Sequence, residues 1–137
     1  MTQAARRDPI GWVLLVLGVV SVGNALWMLA GPMHWYHELP AGVPDTGPFN
    51  AHFVRDIGCA FVAIGAALLW AARAPQVRAP LVAIAALFYV AHAALHVFDT
   101  LSGALDADHW ALDLPGVYLP ALLLAWLAVR VRAAPVA

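Results

Sequence analysis

The sequence has few charged residues and no lysine, so it lacks the polar side chains that cover a water-soluble protein. Of its 137 residues, 11% are charged and 64% are hydrophobic. Soluble domains usually have about 25% charged and about 45–50% apolar residues. This composition excludes an ordinary soluble globule, and the length predicts a single domain over residues 1–137.

Cysteine is almost absent as well. Cys59 is the only one, which excludes an intramolecular disulfide and any multi-cysteine zinc or iron–sulfur site. The sequence also shows no glycine-rich phosphate loop and no nucleophile–base pair of the hydrolase type, so an enzyme built on it would have to be metal-dependent. The net charge is −1, and no nucleic-acid partner is expected.

Four long apolar stretches are what the sequence has instead. A helix needs roughly 20 apolar residues to cross the hydrocarbon core of a bilayer. Capping residues and prolines mark the beginnings of these stretches, as at Asp8-Pro9, Pro80 and Pro115. The predicted spans are residues 10–30, 51–72, 80–99 and 114–130. The sequence therefore predicts an all-α integral membrane four-helix bundle in contact with the lipid bilayer.

The arginines predict how the bundle is oriented. Six of the seven lie before the first span, between the second and third, or after the fourth, and in a four-span protein these places share one side: Arg6, Arg7, Arg73, Arg78, Arg130 and Arg132. Cytoplasmic loops carry an excess of arginine and lysine. Most acidic residues fall on the other side, with Asp8 as the exception. Both termini are therefore predicted to be cytoplasmic.

Small residues recur every seven positions on three of the spans. Helices in lipid approach each other most closely where their side chains are small. The recurring positions are Gly11, Gly18 and Ala25 on the first span, Gly58, Gly65 and Ala72 on the second, and Ala79, Ala86 and Ala93 on the third. These rows predict packing seams, although an alanine-rich chain also produces such rows by chance.

Ionisable side chains lie within two of the spans, near the predicted outer side. On the second span, positions i, i+4 and i+7 are His52, Asp56 and Cys59. On the third span, the same spacing joins His92, His96 and Asp99. Residues so spaced share one helix face. Because ionisable groups in a membrane usually face the bundle interior or a wet cavity, the simplest arrangement places these two faces against each other.

Three interpretations of these side chains stay open. The first is a transition-metal site for zinc, iron or copper, with the ligands His52, Asp56, His92, His96 and Asp99. The second is a structural polar network that stabilises the bundle or docks a partner, and it would also include Asn50, Arg55 and Cys59. The third is haem held between two histidines, or transport of a small ligand or protons. Four short helices make a narrow pathway, so a homo-oligomer or a partner membrane protein is also expected.

One segment carries a resemblance to a known family. Residues 42–61, GVPDTGPFNAHFVRDIGCAF, follow a Trp-Tyr pair and precede HAALHVFD at residues 92–99. This pattern resembles a family of small, functionally uncharacterised bacterial four-span membrane proteins with a TGPFN-x-HF-x-RDIG motif, whose layout is similar to that of DoxX-like proteins. The resemblance implies the four-span topology and a bacterial inner membrane, and it implies no particular chemistry.

Overall fold

The structure, a computed structural model, describes residues 8–132 and is all-helical over that range, as predicted. Arg6 and Arg7 lie outside the described residues. The helices are α1 (Pro9–Ala30), α2 (Pro32–Glu38), α3 (Ala51–Arg73), α4 (Arg78–Ser102), α5 (His109–Leu112) and α6 (Leu119–Arg132). Short 3₁₀ turns span Val43–Thr46 and Pro75–Val77, and a π-helical turn spans Leu114–Tyr118.

Four helical segments are long and apolar enough to cross a membrane, which confirms the predicted number of long apolar helices. They are Pro9–Ala30, Ala51–Arg73, Pro75–Ser102 and Leu114–Arg132. The third begins before Pro80, which therefore lies in the first turn of its helix. Proline is tolerated there because a backbone nitrogen in the first turn has no hydrogen bond to lose. The predicted cap of the first helix is also present, since the Asp8 carboxylate accepts a hydrogen bond from the backbone N–H of Gly11 at 2.9 Å.

The glycine rows of α1 and α3 are packing seams, as predicted, and the structure shows that they face each other. A Cβ atom added at Gly65 would lie 3.1 Å from the carbonyl oxygen of Gly18 and 2.7 Å from a methyl group of Val22. At either end of the seam, Gly58 meets the carbonyl of Ala25 and Gly11 meets that of Ala72. Larger side chains would push the two helices apart, so this register is fixed by backbone contact.

The centre of the bundle is apolar and draws on all four long helices. Its most buried side chains include Leu14, Leu68, Val82, Leu124 and Leu127. One polar contact interrupts it, a hydrogen bond of 2.8 Å between the hydroxyls of Ser21 and Tyr89. The ionisable groups are therefore gathered at the two ends of the bundle.

We call one end of the bundle the arginine end, because Arg73, Arg78 and Arg130 lie there. Here Arg78 joins the beginnings of α1 and α4 by holding both carboxylate oxygens of Asp8, at 2.6 and 3.2 Å. Its Nε also donates to the carbonyl of Ala71 at 3.0 Å. The hydrogen bond from Arg78 is the main reason that the pKa of Asp8 lies below its ordinary value.

Candidate functional site

The opposite end, which we call the histidine end, is organised around Asp113. This residue ends α5, and its side chain is only 1% exposed. Its backbone carbonyl accepts hydrogen bonds from Val117 and Tyr118, so the chain turns back into the bundle and carries the carboxylate inward. There its Oδ2 lies 2.8 Å from Nδ1 of His96 on α4. A buried carboxylate thus joins the loop after α4 to α4 itself.

His109 is the second partner of this carboxylate and is fully buried. It lies one helical turn before Asp113, and its Nδ1 is 3.5 Å from Asp113 Oδ2. Its other ring nitrogen, Nε2, is 3.4 Å from Oδ2 of Asp45, which lies in the loop between α2 and α3. The imidazole ring therefore stands between two carboxylates that come from different loops.

The loop that covers His109 needs a glycine at position 42. Gly42 has a φ of +60°, a conformation that favours glycine, and a Cβ atom added there would lie 3.0 Å from Cε1 of His109. This close approach brings Asp45, at the following 3₁₀ turn, to the histidine. The loop between α2 and α3 thereby becomes a cap over the site.

The contacts continue from His96 into the bundle. The ring of His92, one turn earlier on α4, lies edge-on to that of His96 with 4.7 Å between the centroids. His92 is stacked on Phe88, and Phe61 of α3 lies edge-on to it. We call the connected side chains the His–Asp network; its members are Asp45, His92, His96, His109 and Asp113. The network runs from an exposed carboxylate to an imidazole that packs against aromatic rings.

Three buried polar atoms in and beside the network have no hydrogen-bond partner among the described residues. They are Nδ1 of His109, Oδ1 of Asp113 and the hydroxyl of Tyr118. Buried polar groups in proteins nearly always have a partner, so each such atom calls for an explanation. Together they provide a carboxylate oxygen, an imidazole nitrogen and a hydroxyl, which can bind a proton, a water molecule or a cation.

Of the predicted site residues, the structure places His92 and His96 in the His–Asp network. Asp99 lies three residues after His96 on α4. It takes part in hydrogen bonding through its backbone carbonyl, which accepts from Ser102, Ala104 and Leu105.

The predicted arrangement in which α3 turns its polar face towards α4 is wrong. His52 and Asp56 contact each other at 3.3 Å, but their side chains are 88% and 59% exposed, and Cys59 is exposed too. The glycine seam of α3 faces α1, and this rotates the polar face outward. In residues 8–132, no three His, Cys, Asp or Glu side chains are placed to hold a metal ion. The structure therefore keeps the pair His52 and Asp56 on α3 separate from the pair His92 and His96 on α4.

Two other predicted residues have local structural contacts. The side chain of Asn50 caps α3 by accepting hydrogen bonds from the backbone N–H groups of His52 and Phe53, at 3.0 and 3.1 Å. Arg55 donates from Nε to the carbonyl of Leu29 at 3.3 Å. These contacts fix the beginning of α3 and tie it to the end of α1.

Sequence reasoning missed Asp45, His109 and Asp113 as site residues. All three lie in or next to predicted loops, where polar residues are ordinary and attract no attention. A signal was nevertheless present, because His109 and Asp113 have the i, i+4 spacing that singled out His52 and Asp56 in a span. That spacing brings the two side chains together only because the loop contains a helical turn, α5.

The fold and the site thus define a class: an all-α protein with four helices long and apolar enough to cross a membrane, and with a buried His–Asp network at one end. No protein-family model, curated protein or solved structure matches the chain. The resemblance of residues 42–61 to a bacterial four-span family stays a prediction, and the function has to be argued from the site.

Proposed function

We propose that the protein is a small structural or accessory subunit of the bacterial inner membrane, in which the His–Asp network holds an outward-facing cap on the bundle. The observation that carries this proposal is the position of Asp113, which is 1% exposed and contacts histidines from α4 and α5. Through His109 the same network reaches Asp45, so it connects three segments that are distant in the sequence.

The charges at the two ends support the proposed orientation. The arginine end carries Arg73, Arg78, Arg130 and Arg132, whereas the acidic loops lie at the histidine end. The excess of arginine in cytoplasmic loops supports a cytoplasmic arginine end and an outward-facing network. Fusions of a reporter that is active only in the cytoplasm, placed after residue 137 and within the loop at residues 103–108, test this orientation. The first fusion should be active and the second inactive; the reverse pattern overturns it.

A structural role has an energetic basis. Removing one partner of a buried hydrogen-bonded pair leaves the other desolvated and unpaired, at a cost of about 1–3 kcal/mol. Asp113 is hydrogen-bonded to His96 and lies within 3.5 Å of Nδ1 of His109, and both histidines are largely buried. Holding the cap in this way would keep a defined surface at the outer end of the bundle, on which a partner membrane protein could dock.

The test compares Asp113→Asn with Asp108→Asn, a matched change at an exposed carboxylate of the same loop. Purified protein is heated in detergent, and the loop between α2 and α3 is probed with a protease. We expect the Asp113 variant to unfold at a lower temperature and to be cut faster in this loop, and the Asp108 variant to behave like the wild type. Equal behaviour of the two variants contradicts the structural role.

A second candidate function, transition-metal binding, is favoured by the unpartnered atoms His109 Nδ1 and Asp113 Oδ1. Two imidazoles and one carboxylate are a common donor set for zinc, iron and copper. As they stand in residues 8–132, the side chains of His96, His109 and Asp113 are not placed to hold an ion, so binding would require them to rearrange. The other nitrogen of His109 faces Asp45, and ligating histidines usually have a carboxylate at that position. Both Nδ1 atoms approach Asp113 Oδ2 directly, so an ion would have to displace the hydrogen bond from His96.

Elemental analysis and a visible spectrum of the purified protein separate the two functions. Stoichiometric zinc, iron or copper that is lost in His96→Ala and His109→Ala, and kept in the control His52→Ala, would establish the metal function. A Soret band would indicate haem. Protein that has no metal and takes none up on reconstitution supports the purely structural role.

A further inference from the structure

A groove runs along the outer surface between α4 and α6 and opens at the arginine end; we call it the α4–α6 groove. Its volume is about 510 Å³, and its lining extends from Val90 in the middle of α4 to Arg132 at the end of α6. Binding pockets for small molecules are typically about 300–1,000 Å³ in volume. The groove is therefore large enough for a ligand, and it lies within two segments that are apolar enough to cross a membrane.

Small and large apolar side chains give the groove its shape. Alanines form its floor, since Ala86 is buried and Ala83 and Ala128 are half-buried. Exposed large apolar side chains border it, namely Ile84, Leu87, Val90 and Val129. Apart from Arg132, every side chain that lines the groove is apolar. Its length thus suits a hydrocarbon chain and offers no polar side chain to a hydrophilic ligand.

The one charged lining residue, Arg132, lies at the end of the bundle, at the mouth of the groove. Its side chain is exposed. Asp8 is the only acidic residue at the arginine end, and Arg78 holds both of its carboxylate oxygens. Among residues 8–132, this leaves no carboxylate for Arg132. Guanidinium groups bind phosphate through two parallel hydrogen bonds, so the mouth of the groove is complementary to a phosphate group.

A second groove at the same end differs from the first in its charge. It lies between α1 and α3 beside Arg73, and its volume is about 220 Å³. Asp8 also lines this smaller groove, so a phosphate group bound there would lie near a carboxylate. The α4–α6 groove combines the larger volume with an arginine that has no acidic neighbour among the described residues.

We propose that the α4–α6 groove binds an anionic phospholipid, with one acyl chain along the alanine floor and the phosphate on Arg132. Basic pockets between membrane-spanning helices on the cytoplasmic side bind the headgroups of acidic lipids. Because the arginine end is the proposed cytoplasmic end, this lipid belongs to the inner leaflet. The inference rests on the proposed membrane location and orientation and does not depend on the His–Asp network.

Lipid binding is measured on delipidated protein in detergent by native mass spectrometry. Phosphatidylglycerol and phosphatidylcholine with identical acyl chains are compared, because the second headgroup has no net charge. Glycerol phosphate serves as the probe without an acyl chain. We expect phosphatidylglycerol to bind more tightly than phosphatidylcholine, and glycerol phosphate not to bind at concentrations that saturate the protein with phosphatidylglycerol. Equal binding of the two lipids, or equally tight binding of glycerol phosphate, overturns the proposal.

One pair of variants tests the arginine at the mouth of the groove. Arg132→Gln should weaken phosphatidylglycerol binding by about fivefold, because an arginine near an anionic membrane surface contributes about 1 kcal/mol. It should also remove most of the preference over phosphatidylcholine. Arg73→Gln, beside the smaller groove, is the matched control and should keep the wild-type affinity. Equal losses in the two variants contradict a site at Arg132.

A second pair of variants tests the floor of the groove. Ala83→Phe fills the groove and should weaken the binding of both lipids, whereas Ala91→Phe, at an exposed alanine of α4 outside the groove, should not. Thermal unfolding shows which variants are folded. In the wild type, phosphatidylglycerol with a photoactivatable group on its acyl chain should label residues 83–90 and 128–132. Labelling confined to other helices overturns the proposal without any variant.

Failure of this inference can be told apart from failure of the proposed function. Alkaline extraction of membranes shows whether the protein is integral. A protein that is washed off overturns the membrane location, and the lipid site with it. An integral protein that binds both lipids equally overturns the lipid site alone, and the comparison of Asp113→Asn with Asp108→Asn still decides the role of the His–Asp network.

Discussion

At each end of the bundle, one carboxylate connects two segments of the chain. We call these connections joints, and they differ in the side chains that hold the carboxylate. At the arginine end, Asp8 is 45% exposed and is held through both oxygens by Arg78, whose charge is permanent. At the histidine end, Asp113 is 1% exposed, and its partners are histidines, whose charge depends on pH. Within residues 8–132, Oδ1 of Asp113 has no hydrogen-bond partner.

This difference indicates where function is to be sought. The Asp8–Arg78 joint has both carboxylate oxygens engaged, and nothing in its geometry calls for a further ligand. The His–Asp network contains buried polar atoms that have no hydrogen-bond partner among the described residues, and its histidines can gain or lose a proton. A joint of the first kind holds helices together, whereas one of the second kind can also respond to a proton, a cation or a neighbouring protein.

The comparison is tested most severely by Asp113→Ala, for which we expect the largest effect. Removal of one member of a buried ionisable pair typically costs about 3–5 kcal/mol, because the remaining groups are left unpaired in an apolar environment. The free energy of unfolding, measured by denaturant titration in detergent, should fall by about that amount. Asp106→Ala, at an exposed position of the same loop, is the control and should have little effect.

A smaller loss is expected at the other end from Arg78→Ala. This change removes the partner of Asp8 and leaves the carbonyl of Ala71 without the guanidinium donor. Since Asp8 remains half-exposed and can be solvated, we expect a loss of about 1–3 kcal/mol in the same titration. Arg73→Ala removes an exposed arginine of the same loop and should be nearly neutral. A loss at Arg78 larger than that at Asp113 would reverse the comparison.

The acid dependence of the Asp8 joint sharpens the comparison further. Hydrogen bonding from Arg78 lowers the pKa of Asp8 below 3.8, its ordinary value. The joint therefore contributes its full stability above pH 3.8 and loses it as the pH falls through the lowered pKa. Thermal unfolding between pH 7 and pH 3 should show this loss in the wild type. Asp8→Asn should be less stable at pH 7 and should lack that part of the acid dependence.

The smallest effect is expected from His52→Gln. His52 is 88% exposed and pairs with Asp56 along the same helix, and exposed pairs of this kind contribute about 0–1 kcal/mol. The matched change His96→Gln, in the network, should cost clearly more in the same thermal assay. Similar costs for the two variants would mean that burial of the network does not distinguish it from the face of α3.

The sequence by itself determined the features that are repeated along each helix. Long apolar runs define four helices that are long enough to cross a membrane, Asp8 and Asn50 cap their helices, and the glycines at seven-residue intervals predict a packing seam on each of α1 and α3. Each of these features rests on neighbours within a few turns, or on a periodicity that a single helix expresses. The orientation of the bundle in a membrane stays a prediction.

Only the tertiary structure decided which polar side chains meet. The glycine seam rotated His52 and Asp56 outward, although their spacing is the same as that of His92 and His96. The site was instead completed by Asp113 and His109 from a loop whose path depends on contacts with α4 and with the cap. Helical spacing specifies a face but not its neighbour, because that neighbour is chosen by packing between segments far apart in the chain.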